Sequence, residues 1–227
     1  MTTLVATKLL RVPTHQTLDH RKFGETLGPT AGAAAGMLLD GAARRATAST
    51  GGSAGACSSL WLAFHNDLAD AKSTDPIARE STRLWCAAVN GAQTTLDPQQ
   101  MKEWTPNSRY GGHAFGFMPD PKDTKTRDTQ FAAFLEHRAE VLPWIKEYSP
   151  FEHVSADDPP IYLLYSAPPA LGQEQKDPTH TANFGVKLQE KCQAAGVACE
   201  LVYPGAPEVQ HKTMDEFLIA TLKAARK

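Results

Sequence analysis

The pentapeptide Gly51-Gly52-Ser53-Ala54-Gly55 is the stretch of this sequence whose residue types and spacing suit covalent chemistry. In a G-x-S-x-G pattern a strand turns sharply into a helix at the serine, and the neighbours are small because larger side chains would collide within the strained turn. Ser53 is therefore the candidate nucleophile. Behind it Cys57, Leu60, Trp61, Phe64 and Leu68 recur at helical spacing, one apolar stripe of an amphipathic helix that starts at the serine. Such a helix aims its N-terminus at Ser53. That makes the Ala54 backbone N–H a candidate donor to a developing oxyanion and adds the positive end of the helix dipole. Two plainer readings compete, a flexible Gly/Ser loop and an anion-cradling phosphate loop. The phosphate loop lacks its usual partners, since no G-K-[ST] follows and the glycines do not fit G-x-G-x-x-G.

A nucleophilic serine needs a base, and the base needs an acid to orient it. Ligands of open parallel sheets bind beyond the carboxyl ends of the strands, so these partners are sought after the strands read at 161–165 and 197–203. Asp177 follows the first strand and His211 the second. In this reading His211 takes the Ser53 proton through one ring nitrogen, while Asp177 fixes the tautomer and stabilises the imidazolium. Asp177 precedes a proline, and a loop aspartate in that position is often only a helix cap. His180 competes for the role of base but stands next to the proposed acid. Asp157 and Asp158 precede their strand, at the wrong edge. Gly52, beside the nucleophile, and His113, beside Gly111 and Gly112, are the residues expected against substrate, whereas His65 reads as solvated or satisfied in the core.

The elements that must position these groups alternate as strand and helix. Ala46–Thr50 is read as the strand entering the elbow from its position alone, because it lacks the Val/Ile run of a strand buried on both faces. Asp75-Pro76 signals a short helix, Leu84–Val89 a buried parallel strand, and Asp97-Pro98 a helix ending near Trp104. From Asp128 an apolar pattern marks a helix that Pro143 ends or kinks. Residues 181–195 read as a helix closed by Gly196, and Thr213 with Glu216 is a capping-box start for the terminal helix. The rhythm implies an α/β fold: a parallel sheet with helices on both faces and a small helical cap inserted at about residues 95–150. Residues 1–48 are atypical, with a short strand at Leu9, Leu10 and Val12, a Gly- and Ala-rich stretch from Gly28 to Gly41, and an apolar group at Met37-Leu38-Leu39.

Composition narrows the class. The 227 residues are 41% hydrophobic and 21% charged, an ordinary globular balance with room for one substantial core. The formal net charge of −2 and the lack of a basic cluster leave nucleic acid no electrostatic footprint. No apolar run is long enough for a membrane span or a signal segment, so the expected compartment is the cytoplasm. Cysteines 57, 86, 192 and 199 form no metal-type spacing and read as buried thiols; Cys192 and Cys199 bracket a helix end and the next strand and could approach each other.

Gly51 to Asp70, the run Asp157-Asp158-Pro159-Pro160 leading into a strand, Asp177-Pro178, and Tyr203-Pro204-Gly205 to His211 together resemble the carboxylesterase and lipase-like branch of the α/β-hydrolase superfamily. The resemblance spans residues 49–227. It implies an α/β-hydrolase core, hydrolysis of esters through an acyl-serine intermediate, no metal and no organic cofactor, with Ser53, Asp177 and His211 as the triad. The limited cap points to small or short-acyl esters. Members of that family carry several strands and a His-Gly-Gly oxyanion loop before the elbow, and this sequence has neither in recognisable form. The N-terminal part of the sheet is thus expected to be truncated or replaced, the second oxyanion donor is unassigned with Gly28–Gly36 as a substitute, and the activity is expected to be weak. A non-enzymatic remnant that binds a ligand or partner is the alternative. An unpaired strand edge beside the elbow further implies a homo-oligomer through the N-terminal side of the sheet.

Overall fold

The computed structural model describes residues 47–118, 122 and 126–224. The short strand at 9–12, the cluster at 37–39, the Gly28–Gly36 loop and nearly all of the atypical N-terminal segment lie outside the described residues.

Four short strands lie side by side in chain order: β1 (Ala48–Gly52), β2 (Cys86–Asn90), β3 (Ile161–Leu164) and β4 (Cys199–Val202). All pairs are parallel, with Ala48 opposite Cys86, Ala88 opposite Tyr162, and Tyr162 opposite Glu200. Parallel neighbours require a crossover, and helices supply each one. Helix α1 (Ala54–Phe64) joins β1 to β2. Between β2 and β3 lie α2 (Pro98–Trp104), α3 (Thr126–Glu136), α4 (Arg138–Tyr148) and the single turn α5 (Pro150–His153). Helix α6 (Ala182–Ala195) joins β3 to β4, and α7 (Met214–Ala224) follows β4.

Because side chains alternate across a strand, the sheet feeds two cores. Ala87, Val89, Ile161 and Leu163 pack with Leu60 and Phe64 of α1 and with Phe184 and Leu188 of α6. Cys86, Ala88, Tyr162 and Val202 pack instead with Phe217 of α7. Helices thus cover both faces of a parallel sheet, the α/β architecture that the sequence implied. Among the described residues β1 pairs only with β2, and only Ser49 of its five residues is buried, which is why Ala-Ser-Thr-Gly-Gly suffices without a Val/Ile run.

Three local expectations are corrected. The apolar stripe behind Ser53 ends at Phe64; Leu68 lies beyond α1 and is exposed, while Ala56, Ser59 and Ala63 complete the buried face. The helix expected to run from Asp128 to Pro143 is two helices broken at His137, and Pro143 lies inside α4. The break has an electrostatic anchor: Arg138, the first residue of α4, donates from Nε to buried Asp97 at 2.7 Å, and the same carboxylate caps α2 by accepting from Gln99 N at 2.9 Å. The signal at Asp75-Pro76 gives a single 3₁₀ turn at Ile77–Arg79, with Asp75 accepting from Ile77 N. The capping box at α7 forms through Thr213 Oγ1, which accepts from Glu216 N at 3.1 Å. All four cysteines are free thiols.

Candidate active site

The turn from β1 into α1 stores backbone strain at the serine. Ser53 has φ 53° and ψ −121°, a conformation that a residue with a Cβ adopts only when its surroundings hold it there. What holds it is visible on both sides. Ser53 N donates to Asn90 O at the end of β2 at 3.0 Å, and Cys57 N donates back to Ser53 O at 3.1 Å. A Cβ on Gly51 would stand 2.5 Å from the carbonyl carbon and oxygen of Gly55, so the close approach of strand and helix admits only glycine there. Gly52 and Gly55 are under no such constraint, for a Cβ on either would meet no heavy atom closer than 3.9 Å. Ala54 opens α1, and its N–H belongs to the first turn of the helix, whose donors have no intrahelical acceptor.

The partner of Ser53 is His180. Ser53 Oγ and His180 Nε2 are 2.9 Å apart, and His180 Nδ1 lies 2.9 Å from Asp177 Oδ2. The three side chains form one hydrogen-bonded line from the elbow into the loop between β3 and α6. Asp177-Pro178-Thr179-His180 makes this line locally: Asp177 Oδ1 accepts from the backbone N–H groups of Thr179 and His180, each at 3.2 Å. This side-chain turn folds residue 180 back over residue 177, so that the second carboxylate oxygen meets the imidazole. Partial burial opposes the ionisation of Asp177, but the bond from His180, the charge of that ring and the two backbone donors outweigh it and hold the carboxyl below its ordinary value.

His211 is elsewhere, which corrects the assignment of the base. Its Nδ1 lies 2.7 Å from Glu200 Oε2, and Gln210 N and His211 N donate to Glu200 Oε1 at 2.8 and 2.7 Å. Its carbonyl accepts from Tyr162 Oη at 3.2 Å and its ring stands edge-on to Phe217, whose centroid is 5.5 Å away. Tyr162 and Phe217 belong to the core under α7, so His211 is tied to that face of the sheet. The order serine, aspartate, histidine along the chain is kept, but the aspartate and the histidine come from one loop. The signal was the i, i+3 spacing itself: the adjacency of His180 to Asp177 that counted against it is what an aspartate-led turn needs.

Among the other expected contacts, Asp177 both caps its turn and faces a histidine. His113 is half-buried in a 3₁₀ turn at Gly112–Phe115, 5.2 Å from the Tyr110 ring; burial and then the charge of Arg127 lower its pKa. Cys57, one turn beyond Ser53, has its thiol pushed up to about 12 by burial. That makes it an inert neighbour rather than a second nucleophile. The His65 ring lies tilted against Trp61, centroids 4.2 Å apart, and its Nε2 is 3.5 Å from Glu147 Oε1. Among the described residues no group of three His, Cys, Asp or Glu side chains could hold a metal ion, and no helix is long and apolar enough to cross a membrane.

The loop that carries Asp177 and His180 is stitched to the segment after β2. Asn183, fully buried, donates to Trp104 O at 2.8 Å and accepts from Ala170 N at 2.8 Å. Asn107 and Gln175 exchange bonds at 2.9 and 3.0 Å. These amide contacts satisfy loop backbone that would otherwise be buried unpaired.

No protein-family model matches the sequence, and neither does any curated protein. Solved structures overlap it in part. An acetyl ester-xyloside bifunctional hydrolase from Caldicellulosiruptor lactoaceticus is 18% identical over 78% of this chain and 54% of its own, with a TM-score of 0.46. A truncated form of a carbohydrate esterase from gut microbiota is 16% identical over 78% and 59%, with a TM-score of 0.44. Esterase 2 of Thermogutta terrifontis with propionate bound is 20% identical over 79% and 53%, with a TM-score of 0.39. The chain spans little more than half the length of these structures.

Proposed function

We propose that this protein hydrolyses carboxylic esters of short acyl chains through an acyl-serine intermediate, with Ser53 as nucleophile, His180 as base and Asp177 as its orienting acid. The observation that carries the reading is the unbroken line Ser53–His180–Asp177, 2.9 Å at each link, at a strained strand-to-helix turn. In this reading His180 Nε2 accepts the hydroxyl proton as Ser53 Oγ attacks the ester carbonyl carbon. Asp177 keeps the other proton on Nδ1 and balances the imidazolium, a task its lowered pKa suits. The Ala54 N–H and the α1 dipole stabilise the oxyanion. The tetrahedral intermediate then collapses: the C–O bond to the alcohol breaks, and His180 returns its proton to the departing oxygen. Water, deprotonated by the same ring, releases the acid and restores the serine.

Ala54 N–H is the one oxyanion donor that the reading assigns. Losing a single donor typically costs about 10²–10³-fold in turnover, so hydrolysis of activated esters is expected to be slow. The test is hydrolysis of p-nitrophenyl acetate, butyrate and octanoate by wild type and Ser53→Ala, with labelling by a fluorophosphonate probe. Activity that falls with acyl length and vanishes with labelling in Ser53→Ala supports the reading. A protein that neither turns over nor labels would instead be a binding protein with a hydrolase-like core.

A further inference from the structure

We infer that Gln93 is a positioning residue for His180, holding the base at the distance that lets it reach Ser53; the inference rests on the catalytic reading above. Asp177 alone does not hold the imidazole against the elbow. Asp177 and His180 belong to one exposed turn, and their mutual bonds would survive if the whole turn moved away from Ser53. What fixes that turn relative to β1 and β2 must come from outside it.

Asn183 and the Asn107–Gln175 pair tie the flanks of the loop, and Gln93 ties the turn itself at the residue before His180. Gln93 follows β2, whose end also holds Ser53 N through Asn90 O, and it is completely buried. Its Nε2 donates to Thr179 O, the carbonyl immediately before His180, at 2.8 Å, and to Gly91 O at 3.3 Å. The amide orientation is determined by these two acceptors. Turned over, its oxygen would face two carbonyls; as it stands, Oε1 is buried without a hydrogen-bond partner among the described residues. Leaving an amide oxygen unpaired costs free energy, and it is tolerated here in exchange for two bonds donated to the loop edges. Gly91 completes the seat. It has φ +58°, and a Cβ there would lie 3.4 Å from His180 Cβ and Cδ2, so the imidazole rests directly over the chain that leads to Gln93. Ser53 and His180 are thereby referenced to the same four residues at the end of β2, 90–93, one through Asn90 O and the other through Gly91 and Gln93.

A misplacement of about 1 Å in a reacting group costs about 100-fold in rate. Gln93→Met keeps the volume and removes both donors. It is expected to lower kcat for p-nitrophenyl acetate by about 100-fold, with KM changed less than about twofold, and to lose the low-field Nδ1 proton resonance of His180 in NMR. Gln93→Asn keeps the amide but withdraws it by one methylene, and an intermediate loss of kcat at unchanged KM carries the test if the methionine variant does not fold. Wild-type turnover and an intact low-field resonance in a folded Gln93→Met or Gln93→Asn, with Ser53 still labelled by the fluorophosphonate, would overturn the inference and leave the catalytic reading standing. A wild type that neither labels nor turns over would overturn that reading and the inference with it.

Discussion

His180 and His211 each face a carboxylate that also binds the backbone beside the ring, and they have different surroundings. His180 meets Asp177 at 2.9 Å and His211 meets Glu200 at 2.7 Å; in each pair the carboxylate also accepts two backbone N–H groups, including that of the histidine itself. Seen from the carboxylate, the pairs are the same device. They differ at the far side of the ring. His180 presents Nε2 to a strained serine at a helix N-terminus, whereas His211 packs edge-on against Phe217 with its carbonyl held by Tyr162. A histidine–carboxylate pair is therefore a way of orienting a ring, and its use depends on what the second nitrogen is aimed at.

The comparison can be broken most decisively at the rings. His180→Ala is expected to lower kcat for p-nitrophenyl acetate by about 10⁴–10⁶-fold, because serine and histidine of such a line act as a unit. His211→Ala is expected to leave kcat within about threefold. Equal losses in the two variants would overturn the assignment of His180. Asp177→Asn should follow with a loss of about 10⁴-fold in kcat, through the wrong tautomer of His180, with KM little changed.

The reverse order is expected for stability. Glu200 is half-buried, and Glu200→Ala removes the charged acceptor of the Gln210 and His211 backbone N–H groups and of the His211 ring, so it should destabilise by about 1–3 kcal/mol in urea melts. Asp177→Asn, at an exposed site, should cost less, within about 1 kcal/mol. A Glu200 variant as stable as wild type would show that the second pair anchors nothing.

Acid sharpens the contrast further. The carboxyl of Asp177 is lowered in the folded protein, so its contribution is present above the ordinary carboxylate pKa and is lost as pH falls through the lowered folded value. Loss of the Asp177–His180 contact by NMR should therefore begin below the range in which an unperturbed aspartate protonates. Titration at the ordinary aspartate value would contradict the bonding described. The smallest effect is expected at Cys57: with its thiol pushed up to about 12, iodoacetamide at neutral pH should leave it unmodified and the activity unchanged, as read by mass spectrometry and rate.

The sequence by itself determined the elbow, the alternation of strand and helix, and Asp177 as the aspartate of the loop that reaches it. These are legible because their causes are local. Gly51 is dictated by an approach between residues four apart, the capping box of α7 by residues three apart, and Gly196 by the end of the helix before it. Even the histidine that meets Ser53 was locally encoded, since Asp177 and His180 are joined by a turn of four residues. Which of two histidines reaches Ser53 was another matter, because both follow strands at the same edge. Only the tertiary structure decided it, through Gln93 holding the loop after β3 and Glu200 drawing His211 to the face under α7. Those contacts join residues 86 and 11 positions apart, and their partners are backbone groups that no side-chain pattern reveals. The physical reason is that a catalytic distance is set by the packing of whole elements, whereas sequence spacing reports only what a single turn can enforce.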